Sequence, residues 1–397
     1  MSYRAFADHL EADGTPKRIL SLDGGGLRGV MTIQVLRKIE SLLRQRFDDE
    51  KMLLSDYFDL IAGTSTGAII AAGLSLGMTV DEIDKHYCDL GDKVFKRSFW
   101  RRGFARQMYD AKAVADALSD VLGTAMLKDA KFHTGLLVVA KRLDTGSTWV
   151  MTNNPKAKYF APNPDNPQTI PNGEYPLWQV VRASTAAPTF FEGEEIQIHS
   201  NESKDRADTV GLFIDGGCSP HNNPSLQALM AATMEGYKFG WEAGPDKLLL
   251  VSVGTGKADA SVKVSSKLTD AAAVQGLLAL KNLMEDCGDL VETVLQWISA
   301  PTPTARLIDR VAGLAGPVLG GGDGLLTYHR YNALFTQDWF DQADIGIQAD
   351  ASYLASMQEM DKPENLAKLR ELGEAVARKQ VDTAHFPTKF DVGVRVH

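Results

Sequence analysis

The sequence predicts an α/β protein with a central, mostly parallel sheet. Short apolar runs alternate with segments of helical periodicity between residues 17 and 256, which is the pattern of repeated βαβ units. Three of these runs end directly in glycine-rich turns, at Gly24, Gly63 and Gly216. With 44% hydrophobic and 23% charged residues, the 397-residue chain has a globular composition and is long enough for one large domain or two of common size.

The elements are predicted from the spacing of apolar residues and from bounding glycine and proline. The predicted strands are RILSLD, YFDLIAG, GLLVVAKRL, GLFIDGG and KLLLVSVGTG. The predicted helices are 32–46, 66–76, 80–90, 111–122 and 224–235. The Asn- and Pro-rich segment 153–176 is predicted to be a surface loop, and 199–208 a solvated excursion.

The pattern changes after Gly256, where a Leu-rich helical stretch, a breaker-rich segment, a glycine cluster and charged helical sequence follow. We therefore expect an α/β unit over residues 1–256 and a helical extension packed on it over 257–397. The alternative is that 257–397 forms an independent regulatory unit.

Charge and cysteine usage exclude several classes of partner. The net charge of −9 disfavours nonspecific binding to nucleic acid. The three cysteines, Cys88, Cys218 and Cys287, are far apart and lack C-x-x-C spacing, so neither a disulfide framework nor a zinc site is indicated. With no apolar leader or long apolar run in the sequence, we expect a cytoplasmic protein without a metal or cofactor.

The segment Gly63-Thr64-Ser65-Thr66-Gly67 has the G-x-S-x-G pattern of a nucleophile elbow. It follows a predicted strand and precedes a predicted helix, so the turn would expose the Ser65 hydroxyl at a helix N-terminus, where negative charge is favoured. The alternative is that Ser65 merely caps its helix.

A serine hydroxyl needs a positioned base to act as a nucleophile. Asp215 ends the strand GLFI and is followed by two glycines, which place no side chains beside its carboxylate. Asp215 is therefore the candidate base, although an isolated D-G-G is often only a turn.

The loop SLDGGGLRG fits G-x-G-x-x-G through Gly24, Gly26 and Gly29, the spacing of a dinucleotide-binding turn. A pyrophosphate there would lie beside the Asp23 carboxylate and would leave Ser65 and Asp215 without a role. If these amides instead form an oxyanion hole for an intermediate at Ser65, every motif has a function. Arg28 could strengthen that site or form a surface salt bridge.

Together, DGGGLRG, GTSTG and DGG, in this order, resemble the motif set of the patatin-like phospholipases. PLWQVVRASTAAPTFF, CSPHNNPSLQAL and VSVGTG are also similar to segments of this family. The resemblance implies a three-layer α/β/α sandwich and a Ser65–Asp215 dyad without histidine. It also implies an oxyanion hole at Gly24, Gly25 and Gly26 with Arg28, and a phospholipid membrane surface as substrate. Arg182 and the small residues after it are interpreted as structural support.

Three histidines define the alternatives to a dyad. His221 is close in sequence to Asp215 and could be a third member. A conventional α/β-hydrolase would use a late histidine, His329 or His385, but would not explain the glycine loop.

Other segments suggest contacts beyond the dyad. The basic and aromatic stretch KVFKRSFWRRGFARQMY could contact a membrane interface or be an ordinary helix and loop with a solvated basic face. The Leu-rich stretch 271–300 could be a lid or an interfacial helix, or an ordinary amphipathic packing helix. Tyr328, His329 and Arg330 combine rings that stack on bases with a cation for phosphate. Some patatin-like bacterial proteins with a similar extension are antiphage effectors switched on by cyclic dinucleotides, so these three residues are a candidate regulatory site.

The motifs together predict a serine lipid acyl hydrolase acting at the inner membrane surface, with a cyclic dinucleotide as a possible activator. The alternative function is a nucleotide-binding sensor with secondary hydrolase activity. A third possibility, a Rossmann dehydrogenase, rests on Gly24, Gly26 and Gly29 alone. For Tyr328 to Arg330, the alternative to a regulatory site is plain packing.

Overall fold

A computed structural model describes residues 3–95, 110–188, 190–200, 205–257, 272–306 and 318–393. Its strands form a mixed eight-stranded sheet. They are β1 (Lys17–Leu22), β2 (Leu60–Thr64), β3 (Gly135–Arg142), β4 (Thr148–Thr152), β5 (Glu194–Gln197), β6 (Val210–Asp215), β7 (Leu248–Val253) and β8 (Thr327–Tyr331).

The order of strands is β5-β6-β3-β2-β1-β7-β8, and β4 pairs with β3. The five strands from β3 to β8 through β2, β1 and β7 run parallel, whereas β4 and β6 are antiparallel to β3 and β5 is antiparallel to β6. The mostly parallel sheet is therefore confirmed, and all five predicted strands are present. Strands β4, β5 and β8 are not among the predicted ones.

The helices within the described residues connect these strands. They are α1 (Phe6–Leu10), α2 (Gly29–Phe47), α3 (Leu54–Tyr57), α4 (Thr66–Ser75), α5 (Val80–Phe95), α6 (Ala111–Leu122), α7 (Leu177–Ser184), α8 (Arg206–Thr209), α9 (Ser225–Thr233), α10 (Ala272–Ile298), α11 (Gln337–Ala343), α12 (Ala351–Met357) and α13 (Leu366–Gln380). The five predicted helices correspond to α2, α4, α5, α6 and α9, with boundaries shifted by at most a few residues.

Helices cover both faces of the sheet, so the molecule has three layers. Alternate residues of β2 show this directly, because Ile61 belongs to one apolar core and its neighbours Leu60 and Ala62 to the other. Helices α2, α4, α5 and α13 pack on the first face, and α9 and α10 on the second. The α/β/α architecture is thus confirmed.

Among the described residues beyond 257, helices predominate, as predicted, but this part of the chain also completes the sheet. Strand β8 pairs in parallel with β7, from Leu249 opposite Thr327 to Val253 opposite Tyr331. Helix α13 packs closely on α2, since a β-carbon at Gly373 would lie 2.7 Å from the Met31 α-carbon. The extension therefore contributes to the same sheet and core, while the boundary at 256 stays a prediction.

Candidate active site

Ser65 lies at a sharp turn between β2 and α4. Its backbone has φ of 54° and ψ of −127°, a conformation that non-glycine residues rarely adopt and that costs energy. The flanking glycines make this turn possible. A β-carbon at Gly63 would lie 2.3 Å from the Gly67 carbonyl oxygen, and one at Gly67 would lie 2.2 Å from the Leu22 carbonyl oxygen. The G-x-S-x-G spacing is thus a steric requirement of the elbow.

The Ser65 hydroxyl donates a hydrogen bond of 2.6 Å to Oδ2 of Asp215. The second carboxylate oxygen, Oδ1, accepts the N–H of Gly217 at 2.7 Å, which fixes the orientation of the carboxylate. Ser65 and Asp215 are 150 residues apart in sequence, so the fold itself brings them together. This is the geometry of a nucleophile and its base.

Ser184, at the end of α7, binds the backbone of the elbow. Its hydroxyl accepts the N–H of Ser65 at 2.8 Å and donates to the carbonyl of Val139 in β3 at 2.5 Å. Nearby, the buried Arg182 donates to the carbonyl of Glu192 at 2.8 Å. The segment Arg182-Ala183-Ser184 therefore helps to hold the backbone of Ser65 in place, in agreement with its interpretation as structural support.

The glycine loop lies directly beside Ser65 because β1 and β2 are neighbours. A β-carbon at Gly24 would lie 2.9 Å from the Ser65 β-carbon. The Gly24 N–H donates to the Asn222 carbonyl at 3.1 Å, and the Gly25 N–H donates to the Thr66 hydroxyl at 3.2 Å. Among the residues that the structure describes, no acceptor is found for the N–H of Gly26.

Three polar residues that the sequence motifs alone do not mark as site residues hold this loop. The Thr255 hydroxyl donates to the Gly24 carbonyl at 2.9 Å, and the Asn222 side-chain amide approaches the same oxygen at 3.4 Å. Thr66 supplies the acceptor for Gly25. All three lie inside segments that resemble the patatin family, GTSTG, CSPHNNPSLQAL and VSVGTG. Their position in these segments was the one sequence signal that could have marked them as site residues.

Residues 20–229, more than half of the chain, match the family described as patatin-like phospholipase. The chain belongs to the patatin-like phospholipase family. A cGAMP-activated phospholipase of Vibrio cholerae is 30% identical over 260 residues, which cover 63% of this chain and 67% of that protein. A cGAMP-activated phospholipase of Escherichia coli is 27% identical over 253 residues, covering 62% and 64%.

Human calcium-independent phospholipase A2-gamma is 32% identical over 258 residues, covering 62% of this chain and 29% of that protein. The chain thus spans about two thirds of the length of its bacterial relatives and under a third of the human one. Membership of this family also removes the dehydrogenase interpretation of the glycine loop.

The three candidate histidines are not hydrogen-bonded to the patatin dyad. His221 donates its backbone N–H to the Ser219 hydroxyl, and its buried Nδ1 has no partner among the described residues. His329 and His385 stack on each other, with ring centroids 4.7 Å apart, and His385 Nδ1 is 2.9 Å from the Tyr331 hydroxyl. Within the described residues, Ser65 is thus paired with Asp215 and with no histidine side chain, and a catalytic role for this pair stays a prediction.

Tyr328, His329 and Arg330 lie on β8, and their side chains are buried. Arg330 forms a bidentate ion pair with Asp23, with Nη1–Oδ1 and Nη2–Oδ2 distances of 2.9 and 2.6 Å. Nucleotide binding by these three residues stays a prediction, and it would require side chains of the sheet interior to become accessible. The Arg330 ion pair holds Asp23, the residue that precedes Gly24.

Arg28 follows the loop and is buried beside the Phe335 ring, with its guanidinium carbon 5.7 Å from the ring centroid. Its Nε and Nη1 have no hydrogen-bond partner among the described residues. Burial lowers the pKa of Arg28, while the charges of Glu285 and Asp23 oppose that shift. Arg28 is therefore not a surface salt bridge, and a role at the oxyanion hole stays a prediction.

Helix α10 lies against the active site. The terminal methyl of Met284 would be 3.4 Å from a β-carbon at Gly217, the residue that binds Asp215. Glu285, the next residue, is the largest favourable charge acting on Arg28. Ser65 and Asp215 are only 9% and 6% exposed. Met284 of the Leu-rich stretch therefore lies close to Gly217, the residue whose N–H binds Asp215.

Two further features concern the environment of the site. The described residues hold no cluster of three or more histidine, cysteine or acidic side chains suited to a metal ion. No helix in the described part of the chain is long and apolar enough to cross a membrane. The basic and aromatic residues 96–106 lie outside the described residues.

The protonation of Asp215 sets an expected pH dependence. Burial raises the pKa of Asp215 to about 6, against the hydrogen bonds from Ser65 and Gly217, which lower it. A base must be ionised to take a proton, so kcat/KM should fall about tenfold per pH unit below about pH 6 and level off above it. Hydrolysis of a soluble chromogenic ester between about pH 4.5 and about pH 8 would measure this fall. A flat profile between about pH 5 and about pH 7 would argue against Asp215 as the base.

Proposed function

We propose that this protein is a phospholipase A type serine hydrolase that cleaves carboxylic esters of glycerophospholipids. The observation that carries the proposal is the 2.6 Å hydrogen bond from Ser65 Oγ to Asp215 Oδ2 at a strained elbow beside the glycine loop. Membership of a family of phospholipases supports lipid esters as the substrate class.

Acylation follows from the geometry of the dyad. Asp215 takes the hydroxyl proton as Ser65 Oγ attacks the ester carbonyl carbon, and the carbonyl electron pair moves onto oxygen. The oxyanion would be held by amides of Gly24, Gly25 and Gly26, with the N-terminus of α4 favouring the negative charge. For the Gly24 and Gly25 amides to take part, their hydrogen bonds to the Asn222 carbonyl and the Thr66 hydroxyl must be exchanged for hydrogen bonds to the oxyanion. When the tetrahedral intermediate collapses, Asp215 returns its proton to the lysophospholipid oxygen, which leaves.

Deacylation reverses these roles. Asp215 takes a proton from a water molecule, whose oxygen attacks the acyl-serine, and then returns that proton to Ser65 as the fatty acid is released. A carboxylate with a pKa near the working pH serves both steps, because it accepts and returns the proton at low cost. No histidine is required.

A lipid surface is the expected location of this reaction, on the cytoplasmic side of the inner membrane. Helix α10 supports this expectation, because Leu283, Leu290 and Trp297 are exposed and are spaced seven residues apart, on one helix face. Met284 of the same helix lies against Gly217. An apolar face beside the dyad is suited to contact with acyl chains.

We further propose that a cyclic dinucleotide activates the enzyme, as an antiphage effector would require. Two bacterial relatives are named cGAMP-activated phospholipases, and the alignment with each covers over 60% of this chain. The low exposure of Ser65 and Asp215 also suits a resting state that needs a trigger.

The test is release of fatty acid from vesicles of phosphatidylethanolamine and phosphatidylglycerol, with and without cyclic GMP-AMP, cyclic di-GMP or cyclic di-AMP. We expect release that one of these nucleotides increases and that EDTA leaves unchanged, since catalysis uses only side chains and backbone amides of the chain. Loss of activity in EDTA, restored by a divalent metal, would contradict this mechanism.

A nucleotide sensor with secondary hydrolase activity is the second candidate, favoured by the relatives' names alone. Tight nucleotide binding by folded protein, without release of fatty acid under any condition, would favour the sensor.

A further inference from the structure

A cavity of about 700 Å³ lies along the edge strand β4, between that strand and the loop that follows it. It is lined by β4, by residues of 157–175, and by parts of the 198–208 and 236–237 segments. This volume falls within the range of about 300–1,000 Å³ that is typical of small-molecule sites. Neither Ser65 nor Asp215 lines it, so it is separate from the active site.

The lining of this cavity is rich in aromatic rings. Five aromatic side chains face it: Trp149, Tyr159, Phe160, Tyr175 and Tyr237. Tyr159 is 64% exposed, which is unusual for a large aromatic residue that serves only packing. Exposed aromatic rings at a cavity are suited to stacking on planar bases.

Cations and amides complete the lining. Arg142 and Lys158 carry positive charge, and Asn163, Asn166 and Asn172 are polar amides. The Arg142 guanidinium is held over the Trp149 ring at 5.4 Å by hydrogen bonds to Asp144. Arginine and lysine bind phosphate, while amides and the carboxylate of Asp208 can bind the edges of bases.

We infer that this cavity binds a cyclic dinucleotide, its bases stacked on the aromatic rings and its phosphates near Arg142 and Lys158. The inference rests on the proposed function, because it assigns a place to the activator proposed there. Lys158 and Arg142, whose Nε and Nη2 are already paired with Asp144, supply positive charge for the phosphates, and several separate rings can hold two bases, whereas a mononucleotide would use only part of the cavity.

The cavity is connected to the catalytic base through β6. The Phe213 ring meets Trp149 edge-on, with centroids 5.0 Å apart. In the β3–β6 pairing, Arg142 lies opposite Phe213 and Ala140 opposite Asp215. A ligand that shifts Trp149 or Arg142 would therefore act on Phe213, which precedes Asp215 by two residues on the same strand.

The experiment compares Lys158→Ala and Tyr159→Ala with the control Lys156→Ala. Both tested side chains are exposed, so truncation should leave the fold intact. Lys156 is on the same loop but pairs with Glu11 and does not line the cavity. Each variant is made in a Ser65→Ala background for calorimetry with cyclic GMP-AMP, cyclic di-GMP and cyclic di-AMP, with AMP and GMP as mononucleotide probes.

We expect each cavity variant to weaken binding of one cyclic dinucleotide by roughly tenfold or more, as loss of a stacking or phosphate contact does, while Lys156→Ala leaves the Kd unchanged. With Ser65 present, the same variants should need correspondingly more nucleotide to label that serine with a fluorophosphonate probe. Tighter binding of AMP or GMP than of any cyclic dinucleotide would overturn the ligand class.

Unchanged binding in both cavity variants would overturn the site. A cyclic dinucleotide that binds at the cavity without any release of fatty acid would support the site and contradict the proposed function. Fatty acid release that none of the nucleotides increases, with no nucleotide bound, would overturn the cavity proposal and leave the hydrolase proposal standing.

Discussion

Replacement of Ser65 with alanine is expected to lower kcat for ester hydrolysis by roughly 10⁵-fold, to the level left by binding and the oxyanion hole alone. The reason is that the Ser65 hydroxyl, which is hydrogen-bonded to Asp215, is the proposed nucleophile. Asp215→Asn preserves the shape of the side chain but removes its ability to accept the proton, so a loss of roughly 10³- to 10⁴-fold is expected.

The two residues act as a unit, so their effects should not add. The double variant is expected to be no less active than Ser65→Ala, because without the nucleophile the base has no proton to take. Single-turnover fatty acid release and fluorophosphonate labelling of the three variants, under activating conditions, would measure this.

Circular dichroism and thermal melting serve as the controls for folding. If Asp215→Asn retained more than about a tenth of the wild-type kcat, as opposed to the loss expected for a general base, another group would have to take the proton. His221, which is close in sequence, would be the first alternative to examine.

The elbow could be predicted from sequence because its determinants are local. Gly63 and Gly67 are required by clashes with atoms of the elbow itself and of the neighbouring β1, and their spacing around Ser65 is visible in five residues. Asp215 could be predicted as a candidate because it ends an apolar strand. Its pairing with Ser65 was predicted because a nucleophilic serine needs a base, and the family resemblance implied the same pair, although no local pattern joins residues 150 positions apart.

Strand β8 was missed because TYHRY lacks the apolar character of a buried parallel strand. Several of its polar members are buried in the sheet with partners that lie far away in sequence, such as Asp23 for Arg330 and Thr304 for His329. The sequence pattern of aromatic and cationic residues is the same for a nucleotide site and for a strand with such partners. Only the fold separates the two interpretations.

The same limit applies to α10 and to the β4 cavity. The heptad spacing of Leu283, Leu290 and Trp297 indicates an apolar face, but not that Met284 reaches Gly217. The cavity joins residues from Arg142 to Tyr237, and its loop was predicted only as a surface loop. Contacts between distant segments decide both features.

Replacement of Arg330 with methionine should have the largest effect on stability outside the apolar core. Arg330 and Asp23 form a bidentate pair in the interior, with 9% and 6% exposure, and Ser252 accepts a further hydrogen bond from Arg330 at 2.8 Å. The Asp23 carboxylate raises the pKa of Arg330, so the guanidinium stays charged. Removing one member leaves a buried charge without its partner, which costs about 3–5 kcal/mol.

The double variant Asp23→Asn/Arg330→Met separates this charge effect from the loss of packing. Because no unpaired charge remains, we expect it to recover most of the lost free energy of unfolding, since a buried ion pair contributes little against apolar replacements. Lys128→Met, which breaks the exposed pair with Glu174, is the control and should change the free energy of unfolding by under about 1 kcal/mol.

Urea unfolding at pH 7 would measure the free energy of unfolding of the wild type, Arg330→Met, the double variant and Lys128→Met. The rate of ester hydrolysis would report on the position of the oxyanion loop. Asp23 immediately precedes Gly24, so a displaced carboxylate in Arg330→Met should also lower kcat, while the double variant should recover stability more fully than activity. If the double variant were as unstable as Arg330→Met, the contribution of Arg330 would be its packing on β8 and not its charge. Equal recovery of stability and kcat would instead mean that the loop keeps its position whenever the fold is intact.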